Sequence, residues 1–451
     1  MYRDAADMPP PPTGCGNEPA ATPPSPREGI FFGWYVVGGV FVLLAITCGF
    51  GFYNLSVFLE AFEAQKGFPV ATVSLANSTF FIASALAGLG VATLMDRYDA
   101  RYVIAAGVVV NSIALSLIGQ VTEIWHLFLF YVVFGMANAA TTMIPGPTLV
   151  ARWFIRRRSQ AIAYASTGFS MGGVVCVPIS SYLIAEYGIA AAGPYLGALY
   201  FFVPLAVTIF LLRPNPQSMG LGPDGDPPQL DADGKTAPAD GIDFATAMKS
   251  RFFILFTLAF AIAMLAQVAT LTHLFRLAAI RTDDAHVAAI AVAVMAGCSI
   301  AGRIVGGSVL MWVSSKTYLY GILALQMAAY FGLAMAGGDM ALYIAAASFG
   351  VTVGNLQMLM PLMIAEGFGL KAYARILSVN QMITTLANAG GPAVVGLLYT
   401  FFAGYEIPYL ILIAFPASAL LILVAAGPVR ALLDAQEAEA AHAGASGPIT
   451  G

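Results

Sequence analysis

Apolar residues along this chain come in long runs separated by short polar turns. Runs able to cross about 30 Å of hydrocarbon fall at roughly 31–59, 71–95, 101–120, 124–150, 157–187, 189–212, 251–279, 285–312, 317–337, 340–364, 374–403 and 405–427. The pattern predicts an all-α membrane protein of twelve transmembrane helices. One long polar interruption, 213–250, is rich in Pro, Gly and Asp and divides the runs into six and six. It reads as a linker with a short amphipathic helix around 242-IDFATAMKS-250. The expected organisation is a tail over 1–29, a six-helix half over 30–212, the linker over 213–250, a second half over 251–427 and a tail over 428–451. The first tail is Pro-rich and has no apolar segment behind a basic one, so a disordered tail is expected rather than a signal peptide.

Composition agrees with the pattern. The chain is 59% hydrophobic and 10% charged, with a mean hydropathy of +0.80, which excludes a string of soluble domains. Cys15, Cys48, Cys176 and Cys298 lie far apart, with neither disulfide nor metal spacing. Sixteen of the twenty Lys and Arg fall in the tails, the linker and the loops on one side, against Lys66 and Arg281 on the other. The positive-inside rule therefore puts both termini and the linker in the cytoplasm. Short outer loops leave function to the membrane interior, where two linked halves place a substrate site near the midplane and give alternating access by rocking. No nucleophile with a base, metal cluster, nucleotide motif or nucleic-acid signal is present, so neither an enzyme nor a cofactor is expected.

Several segments carry a resemblance. The stretch 88-GLGVATLMDRYDARYVI-104 resembles the Asp-Arg loop of the major facilitator superfamily, through Asp96, Arg97 and Arg101. In that superfamily such charges latch one conformation. The second half's copy, 307-GSVLMWVSSK-316, has no acid, so a lopsided latch resting on the N-terminal half is expected. The stretch 135–180, with Trp153, Phe154, Arg156 to Arg158, Ala161, Gly168 and Gly172, looks like the monocarboxylate transporter family and its bacterial relatives, near the oxalate/formate exchangers. Segments 215–226, 364–378 and 389–399 resemble the same branch, and the likeness covers roughly residues 30 to 425.

The membrane charges carry the candidate chemistry. Arg303 stands in 297-GCSIAGRIVGG-307, where a guanidinium at the bilayer centre costs about 2.5–3.5 kcal/mol on insertion scales. The acids of the spans, Glu60, Asp96 and Glu366, are at the wrong depth, and one turn before Arg303 stands Ser299. An arginine without a fixed counterion can bind a carboxylate bidentately, or it can be satisfied by backbone carbonyls at a helix interface. The family resemblance, through Gly302, Arg303 and Gly306, implies the first role. His273 resembles a family His-Leu and can exchange a proton, or simply line the cavity. Arg276 can snorkel to the outer headgroups or widen the positive field at the entrance. Asn138, Tyr164, Asn355 and Asn380 can line the cavity or bond between helices.

The reading that follows is a proton-coupled transporter of small monocarboxylates of the lactate, pyruvate or short-chain type, with Arg303, Asn355, Asn380, Tyr164 and Asn138 on the substrate and His273 on the proton. One chain is expected to form the functional unit, in a bacterial inner membrane. An organic-anion antiporter or a carrier of aromatic or dicarboxylic acids is the nearest alternative. From a different class come an efflux pump, for which a buried acid is missing, and a transporter-like sensor, for which the C-terminal tail is short.

Overall fold

The structure, a computed structural model, describes residues 31–227 and 241–428. The expected disordered tail and nearly all of the C-terminal tail lie outside the described residues. Nine helices among those described are long and apolar enough to cross a bilayer. One of them, Arg158–Phe210, runs for 53 residues and breaks at Gly188, whose φ of 75° and ψ of 160° leave the helical region. A Cβ would make that left-handed φ costly, so the turn between two passes falls on glycine.

Counting that helix as two, and adding two shorter apolar helices, gives the expected twelve. They are α1 (Phe32–Lys66), α2 (Val70–Arg97), α3 (Ala100–Ser116), α4 (Ile124–Ala139 continued by Pro145–Trp153), α5 (158–187), α6 (189–210), α7 (Arg251–Thr282), α8 (Ala285–Val309), α9 (Ser315–Met335), α10 (Asp339–Phe368), α11 (Tyr373–Phe402) and α12 (Glu406–Ala426). With no water to bond their peptide groups in hydrocarbon, helices satisfy them internally. A short helix at Phe244–Lys249 stands where the linker was expected to hold one.

The two halves repeat one packing scheme. In the first, α1 packs on the α5–α6 hairpin, α2 on α4, and α3 against the same hairpin. In the second, α7 packs on α11 and α12, α8 on α10, and α9 on α12. The halves meet along α2 against α11 and α5 against α8. One apolar core joins both halves at the cytoplasmic end, taking in Met95, Phe154, Ala374 and Leu377. The outer part of the second half has a separate core around Leu274, Tyr330 and Tyr409. Among the described residues the halves therefore share an apolar core at the cytoplasmic end and not at the outer end, an outward-facing arrangement.

Each end of the linker is moored to its own half. Asp224 accepts from the backbone N–H groups of Ile155 and Arg156, at 2.9 and 2.8 Å. Across the molecule, Ile242 donates to the Phe368 carbonyl at 2.8 Å, and Lys371 pairs with Asp243 at 2.9 Å.

Candidate substrate site and cytoplasmic gate

Arg303 is fully buried on α8. Its Nε donates to the Gly354 carbonyl at 3.0 Å, and its Nη2 to Gln357 Oε1 at 3.1 Å, both on α10. Its Nη1 donates to the Ser166 carbonyl, on α5 of the other half. The ionisable groups within its electrostatic reach are Tyr53 and Cys48 of α1, and neither is an acid at neutral pH. The guanidinium thus sits where the halves meet, held by neutral oxygens. Ser299, one turn before it, is buried with an unpartnered hydroxyl.

The neutral candidates separate. Asn355 is fully buried, donates to the carbonyls of Gly302 and Val351 at 3.0 and 2.9 Å, and accepts from the Tyr318 hydroxyl at 2.9 Å. Both its N–H groups and its oxygen tie α8, α9 and α10 together in this arrangement. Asn380 is also fully buried and donates to Thr257 Oγ1 at 2.8 Å, bonding α11 to α7. Its Oδ1 is buried without a hydrogen-bond partner. Tyr164 is half-buried, 6.0 Å from the Trp34 ring of α1. Asn138 is buried on α4, with its Oδ1 lying where a side chain on Gly51 would stand.

His273 is half-buried on the outer part of α7. Its Nε2 lies 3.1 Å from the Pro392 carbonyl of α11 and its Nδ1 3.0 Å from the Tyr405 hydroxyl. A carbonyl only accepts, so Nε2 carries a hydrogen. Nδ1 can accept from the tyrosine, or donate to it when protonated, because a hydroxyl rotates. Both contacts hold whichever partner donates at Nδ1. Arg276, one turn on, is exposed and stands 5.1 Å over the Tyr399 ring.

At the cytoplasmic end, Asp96 of α2 pairs with Arg375 of α11 across the halves at 2.7 Å. Arg152 of α4 lies within electrostatic reach of both Asp96 and Asp99. Arg101, expected in the latch, pairs with Asp99 at 2.7 Å at the start of α3, and Arg97 is exposed. Burial pushes the Asp99 carboxyl up, but hydrogen bonds from the Arg101 side chain and backbone outweigh it and hold the carboxyl below its ordinary range. On the opposite flank the acid missing from the α8–α9 turn is supplied by Glu366 of α10, which accepts from Ser315 Oγ at 2.7 Å and is within electrostatic reach of Arg158 of α5. The gate is less lopsided than expected, because a different helix provides the second acid.

The sequence model of the Major Facilitator Superfamily matches residues 41–392. The chain belongs to that superfamily. Among relatives of this major facilitator protein, the MFS transporter asaE of Aspergillus flavus is 25% identical over 396 residues, covering 83% of this chain and 84% of its own length. Monocarboxylate transporter 14 of Homo sapiens is 28% identical over 218 residues, covering 47% of this chain and 41% of its own. Among solved structures, the fucose:proton symporter FucP of E. coli superposes with a TM-score of 0.67 at 15% identity, over 87% of this chain and 98% of that one. This last likeness shows the fold alone. The protein is a multi-pass membrane transporter and not an enzyme.

Three features of the site were not read from the sequence. One is the Ser166 carbonyl, since backbone acceptors leave no mark in a sequence. Another is Arg375 as the partner of Asp96. The third is a π-helical turn in α1, Gly49–Tyr53, of a kind found often at functional sites. The stretch 49-GFGFY-53 pairs glycines with rings, a pattern that does not by itself announce a π turn. Gly49 abuts Cys176 and the Gly172 carbonyl, and Gly51 abuts Asn138, so the turn sits tightly on α5 and α4. A groove of about 720 Å³ between α5 and α6, lined by Pro178, Tyr182, Tyr195 and Phe202 among others, holds none of these groups.

Proposed function

We propose that this major facilitator protein carries small organic monocarboxylates, coupled to protons, by alternating access. The observation that supports this is the Arg303 guanidinium, fully buried at the junction of the halves and held only by neutral oxygens. A carboxylate reaching it exchanges weak neutral acceptors for a charge-assisted, bidentate pair. The pair is formally neutral, so closing low-dielectric walls around it meets less opposition than closing them around a lone cation. In the outward-facing arrangement Nη1 also bridges to Ser166 of the other half. Binding that draws it away loosens a contact between the halves, which links occupancy to rocking.

A single carboxylate fits better than two. Arg276 is near the outer end of α7 and Arg303 far down α8, about 18 Å apart along the helix axes at 1.5 Å per residue. A compact dicarboxylate such as oxalate cannot span that separation. The proton travels on His273 or with the acid itself. One chain supplies both faces of the site, and the protein works as a monomer in a cell membrane, the bacterial inner membrane on the sequence reading.

The test is uptake of labelled monocarboxylates into proteoliposomes containing the full chain, with and without an inward proton gradient. Accumulation is expected to saturate and to rise with the gradient. Arg303→Ala is expected to lower kcat/KM about 100-fold, the scale of a lost charged hydrogen-bond pair. Saturable uptake at the wild-type level in Arg303→Ala sinks the assignment. His273→Gln separates the two proton routes: gradient-independent exchange places the proton on the histidine, and intact gradient-driven uptake places it on the substrate.

A further inference from the structure

A cluster of aromatic rings lies near Arg303, on the N-terminal half. The π turn of α1 sets Phe52 and Tyr53 side by side, with ring centroids 5.2 Å apart. Phe52 is 5.4 Å from Phe169 of α5 and 5.8 Å from Phe81 of α2, and Tyr53 is 5.3 Å from Phe169. The first half meets the second through α2 and α5, so an α1 residue touching both of those helices lies on the face turned to the other half. Phe52 is 41% exposed, and Tyr53 is within electrostatic reach of Arg303. Phe169 follows Ser166, whose carbonyl accepts from Arg303, by three residues. That places the rings about one helical turn, roughly 5 Å, outward of the guanidinium.

We propose that the carrier selects aryl monocarboxylates, with the carboxylate on Arg303 and the aromatic tail against Phe52, Tyr53 and Phe169. The inference rests on the carboxylate reading and names the substrate class for that same site. An aryl acid whose carboxylate pairs with Arg303 extends its ring outward, toward the rings that lie about one helical turn in that direction. An acid of two or three carbons held by Arg303 leaves those rings uncovered, whereas an aryl tail gains both apolar burial and tilted or edge ring contacts. Entry from the outer side meets the aromatic wall first, so the tail needs no reorientation once the carboxylate has reached Arg303.

Counterflow in proteoliposomes of the full chain, with phenylacetate, benzoate, lactate and acetate as probes, tests the assignment. Phenylacetate is expected to half-saturate transport at a concentration at least about tenfold below that of lactate, the factor expected from ring contact and burial. Phe52→Ala and the milder Phe52→Leu are expected to lower the phenylacetate-to-lactate ratio of kcat/KM, by about tenfold for alanine and less for leucine. Because Phe52 is partly exposed, neither change opens a sealed core, and a thermal-unfolding scan of each variant verifies that. Equal handling of lactate and phenylacetate by the wild type, or an unchanged ratio in both variants, overturns this inference and leaves the carboxylate reading standing. Failure of every carboxylate to saturate overturns both.

Discussion

Arg303 is held by Gly354, Gln357 and Ser166, none of which carries a charge. The consequence is testable at Gln357, whose Oε1 sits 3.1 Å from Nη2. Gln357→Glu supplies, with almost no change of shape, the fixed counterion the site lacks. A permanent ion pair then competes with the incoming acid, and the half-saturating concentration is expected to rise about tenfold or more, the difference between neutral and charged hydrogen bonds. Unfolding temperature is expected to hold or rise, and an unchanged KM would contradict the role given to Arg303. The arginine was legible because a charge in an apolar run has to be accounted for, and its lack of a partner could be read from the depths of the acids. Asn355 and Asn380 were not legible in the same way. A single sequence gives the helix an amide stands on but not the face it occupies: the Asn355 amide turns to α8 and α9, and the Asn380 nitrogen to α7. The ring wall was hidden for a related reason, because a π turn shifts the register on which face assignments depend.

At the scale of the helices, the spacing of apolar runs carried most of the fold, down to the boundary between α5 and α6 at Gly188. The interruption of α4 between Ala139 and Pro145 was not expected, because the run 124–150 stays apolar through it. Small residues decided how closely the helices approach. The sequence drew attention to Gly168 and Gly172, but α10 uses the same device. A Cβ on Gly350 would run into the Met295 carbonyl of α8, and one on Gly354 into that of Ser299. Gly135 of α4 meets the Phe80 carbonyl of α2 in the same manner, so the repeated halves share the contact. Gly350→Val is expected to force α8 from α10 and to destabilise the protein by about 1–3 kcal/mol, the usual penalty of overpacking. A fall in unfolding temperature of the detergent-solubilised protein measures it. Wild-type stability in that variant would mean that the two helices can separate freely.

For the whole molecule, the question is how strongly the cytoplasmic end is held shut. Among the described residues, polar contacts that cross between the halves from that end to mid-depth include Asp96 with Arg375 at 2.7 Å, Ser159 Oγ donating to the Gly307 carbonyl at 3.1 Å, and Arg303 with Ser166. In the first, the side chains of Arg375 and Asp96 are 37% and 25% exposed, and partly solvated pairs of this kind contribute about 1 kcal/mol or less. That weakness suits a carrier. A latch of several kcal/mol would hold nearly every molecule facing outward, whereas one near 1 kcal/mol shifts the balance by about fivefold and yields when Arg303 lets go of Ser166. Asp96→Asn is therefore expected to raise the inward-facing share up to about fivefold, read as faster labelling of a cysteine placed in the cleft by a reagent confined to the cytoplasmic side. Asp96→Arg with Arg375→Asp exchanges the charges and is expected to restore most of the wild-type balance, while either reversal alone places like charges together and opens the gate further. If the double exchange labels like the single reversals, Asp96 acts through something other than Arg375, and Glu366 with Arg158 becomes the pair that holds the cytoplasmic end.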